Sequence, residues 1–197
     1  DKIVSIVGSW RPGEHENNSE AEKERFYAVA EMLGDLMHQD GHVLRVVWSN
    51  DHLTDQCMPI LKGGSIQAEI LEDGRYKIKP ENVKYLFQDS ADYHAFLGFL
   101  RAANKSPGRS KKIQLLVSDE MWRGSLEKET VAWEPVLAHM IDGFPIKEYV
   151  DRGLIELIKI DDKTLRSVQV SNLTVGKDPV DAVLTLGGGK GTLHASN

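Results

Sequence analysis

Residues Lys2 to Trp48, "KIVSIVGSWRPGEHENNSEAEKERFYAVAEMLGDLMHQDGHVLRVVW", change their hydrophobic period twice within one run. The opening "KIVSIVG" is short, apolar and rich in β-branched residues, and Gly8 closes it, which predicts a buried strand. A polar loop follows. Ser19 reads as an N-cap, and Glu22 three residues later completes a capping box. From there Phe26, Val29, Ala30, Leu33, Leu36 and Met37 recur at helical spacing, so they predict a helix buried along that stripe and stopped at Gly41. "HVLRVVW" reads as a second strand. Strand, helix and strand in 48 residues predict a βαβ unit and therefore parallel pairing.

Outward from this unit, the alternation continues after one interruption. "SIQAEI" and "RYKIK" flank an Asp73-Gly74 turn signal, which predicts a β-hairpin insert over about 62–80. "ENVKYLFQDSADYHAFLGFLRAANK" reads as one helix, and "IQLLVSDE" (113–120) as a third core strand. Helices are expected around "TVAWEPVLAHMIDG" and "IKEYVDRG", then strands at "LIELIKI" and "PVDAVLTLG". The expected fold is α/β: a Rossmann-like, open, mainly parallel sheet flanked by helices, in a single domain spanning 1–197. Ligands of such sheets bind beyond the carboxyl ends of the strands.

Composition narrows the function classes. The 197 residues carry 24 basic and 30 acidic side chains, a net charge of −6. That balance argues against a nucleic-acid backbone as partner, because such binders present a basic face. It leaves room for a small anion held by backbone dipoles. The one cysteine, Cys57, cannot form an internal disulfide, so a cytoplasmic setting is expected. The apolar runs are too short for a membrane span. Histidines lack metal-ligand spacing, so no metal site is expected.

The strongest chemical signal lies at the end, in "DAVLTLGGGKGTLHASN" (181–197). A strand delivering Gly187, Gly188, Gly189, Lys190, Gly191 and Thr192 into a helix start offers bare amide N–H groups to an anion. Lys190 and the Thr192 hydroxyl add contacts. A P-loop reading fails, because its first glycine would fall on Leu184 within the strand and only five residues follow Thr192. G-x-G-x-x-G spacing is not met either.

"DAVLTLGGGKGT" (181–192) resembles the glycine segment of the SLOG superfamily. That superfamily unites the Lonely Guy phosphoribohydrolases, DNA-processing protein A and bacterial nucleotide sensors. "VSIVGSW" and "MLGDLMHQDGH" resemble the family's first strand and helix, and Gly187 stands where the Lonely Guy enzymes carry proline. The family's catalytic glutamate position is Ala195, and "VQVSN" (168–172) replaces its M-H-E-R-K motif. The resemblance therefore implies a binding rather than a hydrolytic role. What it implies is a domain sensing a nucleotide-derived ligand, an adenine-nucleotide derivative such as a cyclic ADP-ribose isomer from NAD metabolism. It also implies a homo-oligomer governing a fused or associated effector in anti-phage defence. The short tail after Thr192 suggests further polypeptide beyond Asn197.

The candidate site gathers strand ends around the glycine segment. Gly8, Ser9, Trp10 and Arg11 leave the first strand, where serine can bind phosphate, tryptophan can stack on a base and arginine can pair with a diphosphate. A core-edge tryptophan and a solvated arginine are the plainer reading of the same residues. Trp48, Ser49 and Asn50 leave the second strand. Ser118, Asp119 and Glu120 leave the third, and Asp119 or Glu120 would serve as the carboxylate if the chain were instead a nucleotide N-glycosidase.

Overall fold

Strand β1 (Ile3–Val7) takes a parallel neighbour on each side. On one side lies β2 (Val43–Trp48), with Ile3 opposite Val43 and Ser5 opposite Arg45; on the other lies β9 (Ala182–Thr185), with Val4 opposite Ala182 and Val7 opposite Thr185. With β5 (Ile113–Ser118) and β8 (Ile155–Ile160) these make a five-stranded, all-parallel sheet ordered β8-β5-β2-β1-β9. The fold is thus Rossmann-like α/β, as the alternating pattern predicts. The computed structural model describes residues 1–10, 20–48, 61, 63–107, 112–118, 133–160 and 179–187. Among them, no helix is long and apolar enough to cross a membrane.

The chain divides into two compact units, each described by itself. One comprises Asp1–Val46, Gln88–Gln114 and Arg166–Asn197; the other comprises Val47–Phe87 and Leu115–Leu165.

In the first unit, Val4, Ile6, Leu44, Val46 and Ile113 are buried, as fits strands covered on both faces. Ser5 is also fully buried, and its hydroxyl is satisfied by donating to the Arg45 carbonyl at 2.9 Å. Both ends of β9 are tied to β1. The Ile3 amide donates to the Asp181 carboxylate (2.7 Å) and the Asp181 amide to the Ile3 carbonyl (2.7 Å). At the far end, the Leu186 amide donates to the Val7 carbonyl at 2.9 Å.

Helix α1 (Glu20–Gln39) packs on α3 (Ala91–Lys105) at a crossing made by two glycines. A Cβ on Gly34 would lie 1.8 Å from the Ala95 carbonyl oxygen, and one on Gly98 would lie 1.9 Å from that of Glu31. Backbone therefore meets backbone, and this corrects the expected stripe of α1. The buried residues are Phe26, Ala30, Gly34 and His38, an i, i+4 series centred on the glycine. Val29 and Leu36, expected inside, are 39% and 41% exposed. His38 enters instead, its ring edge-on to Phe99 at 5.2 Å. The expected capping box involves Ser19, outside the described residues.

The segment 81–105, expected as one helix, is broken in two. A 3-10 turn at Pro80–Asn82 and the short α2 (Lys84–Phe87) end before Gln88, and α3 starts afresh at Ala91. The reason lies in the first unit: the backbone of Asp89 and Ala91 is bonded to the loop after β1, so those groups cannot continue a helical ladder.

In the second unit, the hairpin forms as expected. Strands β3 (Ala68–Ile70) and β4 (Tyr76–Ile78) pair antiparallel around Gly74, whose φ is +81°. Arg75 clamps the turn, donating to Asp73 at 2.6 Å, and lies 3.5 Å from Glu134 on α4 (Trp133–Leu137). The helix expected through Gly143 stops at Leu137. A miniature pair, β6 (Met140–Ile141) and β7 (Phe144–Pro145), follows because Asp142 and Gly143 adopt positive φ. Helix α5 (Ile146–Asp151) then buries Tyr149, whose hydroxyl donates to the Ile141 carbonyl at 2.8 Å.

Candidate functional site

The carboxyl end of β1 is where three segments of the first unit converge. Gly8 leaves the strand at φ +134°, and its carbonyl accepts the Ala91 amide (2.9 Å). The Trp10 amide donates to the Asp89 carbonyl at 2.7 Å, and Ser9 bridges Ser90 in antiparallel fashion. Residues 8–10 are thereby zipped to 89–91. On the other side, a Cβ on Gly8 would lie 1.9 Å from the Leu186 carbonyl oxygen. Gly187, at φ +61°, approaches the Ser9 carbonyl so closely that a Cβ there would lie 2.9 Å away. Only glycine fits such positions, because both the dihedral and the space exclude a side chain.

Four of the expected site residues therefore come together: Gly8, Ser9, Trp10 and Gly187. Ser9 is buried, and Trp10 is only 8% exposed with its ring 5.7 Å from that of Phe26. The tryptophan ring packs against α1, so the area it offers a stacking base is small. Trp48 and Ser118 end β2 and β5. Arg11, Ser49, Asn50, Asp119, Glu120 and Gly188, Gly189, Lys190, Gly191 and Thr192 lie outside the described residues.

The start of α3 joins this junction, and sequence reasoning missed it by reading a continuous helix. A signal was present, since Ser90 precedes a run of helical period and is an N-cap type. Ser90 has extended backbone geometry, without a side-chain cap bond. Asp92 does part of that work, its carboxylate accepting the Tyr93 amide at 3.0 Å. Burial pushes the Asp92 carboxyl up to about 7, against the downward pull of its backbone hydrogen bonds. The Asp92 carboxyl thus already occupies the first turn of this helix.

Beside the junction sits a polar cluster of Lys23, Tyr27, Asp89 and His94. The Tyr27 hydroxyl donates to Asp89 at 2.6 Å, its ring stacks on His94 at 4.0 Å, and Lys23 lies 3.8 Å from the same carboxylate. Burial and then the bond to Asp89 push the phenol far above its ordinary pKa. His94 Nε2 is 2.7 Å from the Gln88 carbonyl, which assigns the proton to Nε2, and burial lowers its pKa. A phenol held protonated and an imidazole held neutral make this cluster a brace between α1 and α3 rather than an acid–base pair.

The second unit contains a cavity of about 840 Å³ that none of the sequence motifs marks. Leu61, Ile66, Ile78, Pro80, Pro135 and Ala138 dominate its lining, with Lys77, Lys79 and Glu69 among the polar contributors. Its predominantly apolar walls differ in character from an amide cradle for an anion.

The glycines at the converging strand ends let segments of the first unit's own backbone approach one another closely. Comparison of the chain with protein-family models, with curated proteins and with solved structures finds no match to any of them.

Proposed function

We propose that this chain is a ligand-sensing domain of SLOG type, binding an anionic nucleotide derivative beyond the carboxyl ends of β1 and β9. The observation that carries the reading is the position of these two strands. The chain leaves β1 on one side, reaching β2 through α1, and returns on the other side as β9. That is a switch point of an open parallel sheet, where ligands of such folds bind. Gly8 and Gly187 both turn the chain there at positive φ, and the run Gly187 to Thr192 begins at it. Phosphate would be held by amides of that run, with Lys190 and Thr192 adding charge and hydroxyl contacts.

Absence of the family's catalytic glutamate at Ala195 supports sensing over hydrolysis. In this proposal the domain works as a homo-oligomer in the cytoplasm and passes ligand occupancy to a fused or associated effector. The test is thermal shift and calorimetry with AMP, NAD, ADP-ribose and cyclic ADP-ribose. A ligand at 100-fold its Kd should stabilise the fold by about 2.7 kcal/mol. Silence from all four would overturn the reading. Release of free base, lost on Asp119→Asn or Glu120→Gln, would replace it with a nucleotide N-glycosidase.

A further inference from the structure

The cavity of the second unit is bounded by the hairpin, by Pro80 and by α4. Ala68 and Ile78, opposite each other in the hairpin register, share the face that lines it. Pro135 and Ala138 line it from α4 and the turn that follows. Two polar ties span these elements. Arg75 is held in the hairpin turn by Asp73 at 2.6 Å and lies 3.5 Å from Glu134 on α4. His139 Nδ1 is 3.0 Å from the Pro80 carbonyl, which assigns the proton to Nδ1. Apolar walls ordinarily close on one another to the density of an organic crystal. Here they stand apart over about 840 Å³, while the ties fix their edges.

The wall residues are ones that leave room. Gly64, Ala68 and Ala138 carry at most a Cβ, and a Cβ added to Gly64 would meet nothing within 4 Å. Leu61, Ile66 and Ile78 supply buried apolar surface. Pro80 and Pro135 have no amide N–H, so a ligand that displaces water from them strands no donor. Among the described lining residues the charges cancel, Lys77 and Lys79 against Glu69 and Glu134. Glu69 stands opposite Lys77 in register, and Glu134 is partnered by Arg75. No net charge is left among them to pair with an ionised ligand. Gln67 offers an uncharged donor and acceptor instead.

We propose that this cavity is a second ligand site, and that its ligand is a neutral, largely apolar small molecule. Its volume lies within the range of about 300–1,000 Å³ that small-molecule sites occupy. Apolar walls favour burial of the ligand's body, and Gln67 can meet one hydroxyl or carbonyl group on it. A sulfonate, carboxylate or phosphate would give up its hydration here without a dedicated partner. The cavity is lined by the second unit alone. It is therefore independent of the anion site proposed beyond β1 and β9.

The experiment is fluorescence titration of the full chain with phenylnaphthylamine, a neutral probe, and with its charged analogue anilinonaphthalene sulfonate. The neutral probe should bind saturably, and roughly tenfold or more tightly than the sulfonate, because only the latter buries an unpaired charge. Ala138→Phe, at an exposed position, fills part of the cavity and should weaken the neutral probe by roughly tenfold. Ala68→Phe tests the hairpin wall in the same way. Ile70→Phe, on the hairpin but outside the lining, should leave affinity unchanged. Far-UV circular dichroism checks that each variant is folded. No saturable binding, tighter binding of the sulfonate, or wild-type affinity in both lining variants would each overturn the proposal. AMP should not displace the probe, and Gly188→Glu should leave probe affinity as it is. Displacement by AMP would assign the cavity to an anion and overturn the neutral class. Failure of every nucleotide to bind would sink the sensing reading and leave this one standing.

Discussion

Gly8 and Gly74 both hold positive φ, +134° and +81°, yet they differ in what surrounds them. A Cβ on Gly74 meets nothing within 4 Å, whereas one on Gly8 meets the Leu186 backbone. Gly74→Ala should therefore cost only its dihedral strain, about 1 kcal/mol. Gly8→Ala should cost on the order of 3 kcal/mol, because backbone on both sides must move as well. Urea denaturation of the two variants compares them directly. Asp92 can be tested through pH instead. Its raised pKa means the folded state holds a proton that the unfolded state releases between about pH 4 and 7, so its contribution to stability falls as pH rises. His94 and His139 have lowered values, chiefly through burial, so their contribution is lost as pH falls below the ordinary imidazole range. These slopes oppose each other. Asp92→Asn, which keeps an acceptor for the Tyr93 amide, should raise stability at pH 8 by about 2 kcal/mol. It should also steepen the loss between pH 7 and 5. An unchanged pH profile would refute this account of Asp92.

Helices α1 and α3 show how one contact decides which face of an element is inside. By intrinsic propensity, Gly34→Ala should stabilise α1 by nearly 1 kcal/mol. The Ala95 carbonyl oxygen, 1.8 Å from where the new carbon would sit, reverses the sign. We expect a net loss of about 2 kcal/mol or more, read as a lower denaturation midpoint with the m-value retained. A gain in stability would mean that the helices can part without penalty. The same crossing explains why hydrophobic periodicity misassigned α1. An apolar stripe through Val29, Leu33 and Leu36 was legible, but the closest approach of α3 follows Ala30 and Gly34, since small residues permit the shorter separation. The break between α2 and α3 has a similar origin. Propensity across 88–91 allows a helix, and it is the pairing of 89–91 with the loop after β1 that interrupts it.

Across the whole molecule, the site proposal depends on strands far apart in sequence meeting at one edge of β1. Asp181 and Ile3 exchange two hydrogen bonds over a separation of 178 residues. If the Gly187 to Thr192 run holds phosphate, Gly188→Glu should abolish nucleotide binding by calorimetry while leaving the circular dichroism spectrum of the apo protein unchanged. Retained affinity would place the phosphates elsewhere, and the apolar cavity lined by Leu61, Ile78 and Pro135 would then become the first alternative to map.

Local pattern was sufficient for the five core strands, the helix between the first two of them, the hairpin around Asp73 and Gly74 and the α/β class. These depend on period, turn chemistry and φ preference, which act over a few residues. Tertiary structure alone decided that β9 lies beside β1, that Trp10 turns inward onto Phe26, that Asp89 to Ala91 leave the helix to join the loop, and that Val29, Met32 and Leu36 face outward. Each of those outcomes rests on which backbone groups and which helix faces meet across the chain, and such pairing leaves no periodic trace in the residues that make it.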